Sequence, residues 1–358
     1  MPELLMRSTS PYGSRRAVLL RGSGDIYLYL EDVTGEAAET SSAVWVANQA
    51  VAPVHPPDPT DTTVRNDDGG PPRMAATGTR HPEGCPPLQD VEFVWFEEGD
   101  GVALVDDEGI VAVVPGWGGR DDFYGYSRYA QGHTPIAWEL SAEALDLLTS
   151  KVEESRDFWA WRTDQAWGHI RSTGIAHLEQ AIGPQEVAWP LGESSFPELI
   201  ASRHRYGDHD IWVTASTGLS SQRMAGVEEY HDQPDSAARI ELVIARSQPD
   251  QVGVELLGAL AQVPFGRCTW LGEGHTIGGT VGSFPAFGAD KAALLLTARP
   301  PFHPDLPPPD LRGLTRRGGP VTYLWVLVVD EETFGIARGR DSRNALRHLQ
   351  ETGGTWVQ

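Results

Sequence analysis

Apolar and polar positions along the chain predict β structure first and helices later. In residues 17–30, Ile26, Leu28 and Leu30 alternate with Tyr27 and Tyr29. The preceding Gly22-Ser23-Gly24-Asp25 supplies turn chemistry, so two short strands are expected there, and another over residues 43–49. Apolar runs at 91–96, 102–105 and 110–114 predict further strands, the last two joined by the acidic turn Asp106-Asp107-Glu108-Gly109. From Ser141 to Arg162 the period changes. Leu145, Leu148, Val152, Ser155 and Trp159 fall at helical spacing behind Ser141, an N-cap candidate. A second helix is expected over 171–182, stopped by Gly183-Pro184. Beyond it come predicted strands at 210–214, 239–246, 267–271, 291–297 and 321–329, with helices at 250–263 and 342–352. The fold class this implies is α+β. An acidic β-rich domain over residues 1–140 ends in a long helix, a connecting helical region covers 141–173, and a mixed sheet with flanking helices covers 174–358. Residues 53–90 are rich in Pro, Asp, Thr and Gly, and a long, partly disordered loop is expected near there.

Charge narrows the partner. The formal net charge is −22, and residues 1–173 hold 28 acidic against 13 basic side chains. Such a surface repels nucleic acid and anionic membrane and steers basic partners toward itself. No apolar run approaches the length of a membrane span, and the first residues hold no signal-peptide core. The two cysteines, Cys85 and Cys268, make no disulfide framework. A cytoplasmic protein is the expectation.

Chemical motifs are few. Gly22-x-Gly24 lacks a third glycine and opens no helix, so it is no dinucleotide fingerprint. Gly218-Leu219-Ser220-Ser221 is no nucleophile elbow, and a strand-to-loop turn explains it better. His81, Cys85 and His55 do not complete a zinc set. His275 with Glu241 could serve a hydrolase or metal-dependent enzyme. The plainer expectations are a turn histidine bonded to backbone and a carboxylate ion-paired with Arg239 or Arg246. Two sets suit partner binding. One is the acidic stretch Asp90, Glu92, Glu97, Glu98, Asp100, Asp106, Asp107 and Glu108. The other is the aromatic set Trp117, Phe123, Tyr124, Tyr126 and Tyr129 beside Asp121-Asp122.

A series of blocks in the second half resembles the Suppressor of Fused (SUFU-type) domain family. The first is Gly174-Ile175-Ala176-His177-Leu178-Glu179, and the next runs from Val213-Thr214 through Thr217-Gly218-Leu219-Ser220 to Met224. Ile240-Glu241-Leu242-Val243, Leu260-Ala261-Gln262-Val263-Pro264-Phe265 and Gly274-His275-Thr276 follow, then Leu295-Leu296 with Pro300-Pro301-Phe302. The turn departs from the commoner form by inserting Ala215-Ser216-Thr217. The first half is similar to extensions of actinobacterial members. The resemblance implies a protein-binding module without catalytic, cofactor or metal residues. Bacterial relatives look like immunity proteins that neutralise toxins, and the animal relative restrains a transcription factor. A basic toxin domain is thus the expected partner, with regulatory sequestration as the alternative.

Overall fold

The computed structural model describes residues 2–55, 71–163, 166–192, 196–279, 287, 291–302, 306–339 and 342–358. The chain divides into two compact units, residues 1–163 with 265–268, and residues 164–264 with 269–358.

The first unit is built from two antiparallel-rich sheets and a helix. β1 (Glu3–Thr9), β2 (Arg15–Arg21), β3 (Asp25–Asp32) and β4 (Glu39–Asn48) form a meander in that order. β5 (Glu92–Trp95), β6 (Val102–Asp106), β7 (Gly109–Val114), β8 (Tyr126–Ser127) and β9 (Trp138–Glu139) form the second sheet. The alternation of strand side chains assigns each to one of two cores. Trp95, Val102, Leu104 and Val114 pack with Leu19, Ile26, Leu28 and Trp45 of the first sheet. Val94, Phe96, Ala103, Val105 and Val113 turn the other way, against Leu148 and Val152 of α1 (Ala142–Thr163). Both faces of the second sheet are therefore covered, which is why 102–105 and 110–114 carry no polar alternation. Ser141 begins α1 as expected, its hydroxyl accepting from Ala144 N at 3.3 Å.

The loop expected near 53–90 is organised where it is described, and residues 56–70 lie outside the described residues. Met74 and Ala75 are buried. Asn48 explains this. Its amide donates to Met74 O at 2.7 Å and accepts from Met74 N at 3.0 Å, while Tyr27 donates to Pro72 O at 2.6 Å. A polar composition that cannot bury its own side chains is instead tied down through its backbone.

The second unit carries a seven-stranded mixed sheet. It opens with α2 (Ala166–Ala181), which begins before the expected residue 171. β10 (Gln185–Pro190), β11 (Ile200–Arg205), β12 (Trp212–Thr217), α3 (Val227–Tyr230), β13 (Ile240–Arg246), α4 (Val252–Ala261) and α5 (Val263–Gly266) follow. Then come β14 (Thr276–Gly278), β15 (Lys291–Thr297), the hairpin β16 (Thr315–Arg316) and β17 (Gly319–Pro320), β18 (Thr322–Asp330), α6 (Glu331–Arg338) and α7 (Ser342–Glu351). The sheet order is β10-β11-β12-β13-β18-β15-β14, parallel only between β13 and β18. Val213, Val243, Leu295, Tyr323, Trp325 and Leu327 form one core with Leu178 of α2, Ala337 of α6 and Leu349 of α7. α4 lies against the opposite face, where Gly253 approaches Ile244. Asp330 caps α6 by accepting from Thr333 N at 2.8 Å, a bond that holds its carboxyl below the usual range. Residues 267–271 do not form the expected strand. Cys268 sits at φ 50°, in the left-handed region that no strand uses.

Candidate interaction sites

The acidic stretch does not form one surface. Glu97, Glu98 and Asp100 lie in the turn between β5 and β6, while Asp106 ends β6 and Asp107 and Glu108 form the turn to β7. The five residues of β6 separate the two sets by roughly 13–17 Å at the usual strand rise. At the first end Glu98 is buried, 3.6 Å from Lys151 Nζ. That ammonium also stands 5.0 Å over the Phe96 ring and 5.9 Å over Trp117. Glu98 and Trp117 thus help hold α1, and Tyr12 donates to the backbone carbonyl of Glu97.

At the second end the carboxylates divide between structure and solvent. Arg128 grips Asp106 with two bonds of 2.7 and 2.8 Å. Burial raises the Asp106 pKa, but the bonds and charge of Arg128 outweigh it, and the net shift is downward. Asp90 and Asp107 are exposed, and Glu108 keeps 86% of its side chain in solvent. Asp90, Asp106, Asp107 and Glu108 line an open groove of about 670 Å³ with Arg80, Arg128, His81 and Tyr129. His81 meets Tyr129 edge-on at 5.2 Å. Its companion Cys85 is half-buried, with a pKa raised by burial. Among the described residues no three His, Cys, Asp or Glu side chains could hold a metal ion.

The expected aromatic set is also divided. Phe123 is buried and contacts Tyr126 at 4.9 Å and Trp138 at 4.8 Å. Trp138 in turn stacks on His133 at 4.1 Å. Tyr126 is therefore a packing residue, and burial raises its pKa. Tyr124 contributes its carbonyl to Ser42 Oγ at 2.8 Å.

In the second unit, Glu241 and His275 are not partners. Glu241 lies on β13 and His275 immediately precedes β14, three strand spacings away, which is at least about 14 Å. His275 is a turn residue: its N–H donates to Gly272 O at 3.1 Å and its carbonyl accepts from Leu296 N at 2.9 Å. Its ring leans on Trp270 at 4.1 Å, and burial, then nearby His231, lower its pKa.

Glu241 is 1% exposed, and its carboxylate is held by the turn that ends β12. It accepts from Gly218 N at 2.9 Å, Ser220 N at 3.1 Å, Ser220 Oγ at 2.7 Å and Ser216 Oγ. The expected ion pair with Arg246 is not formed, since that side chain grips Asp250. Arg239 donates to Ser220 O at 3.3 Å. Oε1 takes three of these bonds and Oε2 the one from Ser216, and a buried carboxylate held by backbone and hydroxyl donors is suited to fastening a loop. Gly218 has φ 120°, and a Cβ on it would stand 2.4 Å from Glu198 O, so the turn needs glycine. Three blocks singled out in the sequence, around Thr217-Gly218, Glu241 and Gly174, therefore meet at one buried polar knot.

Two buried residues escaped the sequence reading. Ser202 and His204 on β11 are both 0% exposed, with Ser202 Oγ 2.9 Å from His204 Nε2 and His204 Nδ1 2.8 Å from Gly183 O. This pairing resembles a nucleophile with its base, but neither side chain reaches solvent. Burial lowers the His204 pKa, so its neutral form is favoured. The signal was available in the period: Ser-x-His places both side chains on one strand face.

No helix among the described residues is long and apolar enough to cross a membrane. A search of curated proteins found no match to this chain. Among solved structures, a SUFU (suppressor of fused protein) homologue of Neisseria gonorrhoeae FA 1090 matches with 14% identity and a TM-score of 0.38, covering 53% of this chain and 93% of that one. A family match is found over residues 198–358, to Suppressor of fused protein (SUFU). The matched stretch includes the Gly218 turn, Glu241, His275 and the last strand and helix, so the second unit is similar to the SUFU family over residues 198–358.

Proposed function

We propose that this chain is a non-enzymatic protein-binding module that captures a basic protein, and that the groove at Asp90, Asp107 and Glu108 is its contact surface. The observation that carries the reading is the groove itself. Its lining combines the exposed carboxylates of Asp90, Asp107 and Glu108 with the rings of Tyr129 and His81, so a lysine or arginine side chain would find both charge and an aromatic ring. The match of residues 198–358 to the SUFU family supports a binding role. The net charge of −22 supports a basic partner, because long-range attraction would raise its rate of encounter. Neutralisation of a basic bacterial toxin is the biological role that fits best.

The test is binding of the intact chain to a basic toxin domain encoded beside it, measured at several ionic strengths. A complex whose association slows steeply with salt, and which loses affinity in the Asp107→Lys/Glu108→Lys variant, supports the reading. A complex indifferent to both removes the groove from the contact. Recovery of a transcription factor in place of a toxin would favour regulatory sequestration.

A further inference from the structure

The outer edge of β18 has one open place in its ladder. Thr322 turns its N–H toward β13, donating to Arg239 O at 3.0 Å. Successive residues of a strand direct their main-chain groups to alternate edges, so Val321, Tyr323 and Trp325 direct theirs away from β13. Val321 N donates to Leu314 O at 2.9 Å, and Trp325 is the register partner of Thr297 at the end of β15. Tyr323 lies between these two. Two more residues of β15 would set Arg299 opposite it, but the pairing stops at Thr297. Arg299 N donates to Thr297 Oγ1 at 3.0 Å instead, and Pro300 and Pro301 bring no N–H to the edge. Among the described residues, the main-chain N–H and C=O of Tyr323 meet no partner along this edge.

An open groove of about 610 Å³ lies at this place. Thr322, Tyr323 and Trp325 of β18 line it together with Arg299, Pro300 and the segment from Pro308 to Arg312. Along the strand, Val321 and Trp325 stand about 13 Å apart at the usual rise, which leaves room for one guest residue in the ladder. The lining is basic. Asp310 is held by Arg312 through bonds of 2.7 and 2.6 Å, which leaves exposed Arg299 as the surplus charge.

We propose that this groove holds the carboxy-terminal residue of a partner polypeptide. The N–H of the guest residue donates to Tyr323 O, its carboxylate accepts from Tyr323 N–H, and Arg299 supplies the opposite charge. A terminal residue fits where a longer strand does not, because Leu314 and Thr297 already occupy the edge on either side. Sheet edges and exposed main-chain donors are general means of capturing peptide strands and chain ends. The site lies wholly within the second unit, so it is separate from the acidic groove of the first.

Short synthetic peptides test this on the intact chain. The probes are acetylated tetra-alanines extended by each amino acid in turn, once as the free acid and once as the terminal carboxamide. At least one free acid should slow hydrogen exchange at the Tyr323 amide. Its carboxamide, and its analogue N-methylated at the last residue, should each bind about tenfold more weakly, as for the loss of one such hydrogen bond. Arg299→Glu should weaken the free acid to the level of the carboxamide without moving the Tm, since the side chain is exposed. Asp107→Lys/Glu108→Lys should leave peptide binding unchanged. A panel in which no free acid protects Tyr323, or binding indifferent to the carboxamide or to N-methylation, overturns the proposal. Equal protection by acetate alone also overturns it, because the groove would then be a site for free anions.

Discussion

The groove of the first unit and the knot of the second use the same side chains to opposite ends. Around Glu108 the carboxylates lie in water, where an ion pair contributes little because solvent and salt screen it. Around Glu241 the carboxylate holds four buried donors of one turn, and removing it would leave them buried without an acceptor. Charge at the surface can therefore be retuned for a partner at small cost to the fold. Charge in the knot is fixed by the backbone it fastens.

The comparison breaks most sharply at Glu241. Glu241→Ala leaves Gly218 N–H, Ser220 N–H and two hydroxyls buried without an acceptor. The expected loss is about 3–5 kcal/mol, as for removing one member of a buried charged set, read from denaturant unfolding. Glu241→Gln keeps the shape and one acceptor oxygen, and should recover part of the loss. Gly218→Ala comes next. It forces a side chain into φ 120° and against Glu198 O, and about 1–3 kcal/mol of destabilisation is expected. An Ala variant as stable as the parent would show that the turn adapts and that the knot is not the rigid partner in the comparison.

These contrasts also show what the sequence could reveal. Glu241 stood out because a carboxylate inside Ile240-Glu241-Leu242-Val243 must be either solvated or satisfied. Its partners did not stand out, because they come from a turn more than 20 residues earlier, whereas Arg239 and Arg246 are near in sequence. Apolar runs placed the central strands well, since β13, β15 and β18 are covered on both faces and carry little polar alternation. The same signal missed β11, whose Ser202 and His204 are polar yet buried, and a strand was expected over 267–271 where the backbone at Cys268 forbids one. The acidic stretch looked like one face because the residues are close in the chain. Chain reversals on either side of β6 send them to opposite ends. Side-chain type was legible throughout, but the geometry set by hairpins and distant turns was not.

Lowering the pH should separate the two units next. His204 and His275 both have pKa values lowered first by burial, so each is favoured neutral in the folded chain and protonates more readily when unfolded. Their stabilising contribution is full above the unfolded value near 6.5 and is lost as the pH falls through the folded values. Asp106 in the first unit has a lowered carboxyl pKa instead, and its contribution persists until the pH drops below about 4. Hydrogen exchange followed from pH 7.5 to 5 should show protection falling around β11 and β14 while the β6–β7 hairpin stays protected. Loss of protection in the hairpin first would reverse the assignment.

The smallest expected change in stability is at the groove, and it tests the comparison from the other side. Glu108 has 86% of its side chain in water and its only described ion pair is a 3.3 Å contact with Arg128, which is already committed to Asp106. Removing it in Glu108→Ala should change unfolding free energy by less than about 0.5 kcal/mol, as for surface positions in general. Asp107→Asn should behave alike, being exposed and outside the strand ladder. If the groove meets a basic partner, the same substitutions should slow association and flatten its dependence on salt, while dissociation changes little, because a rim charge acts mainly on encounter. A stability loss comparable to that of Glu241→Ala would mean that the groove, too, is part of the frame. Unchanged association at low salt would leave its carboxylates with solubility as their remaining role.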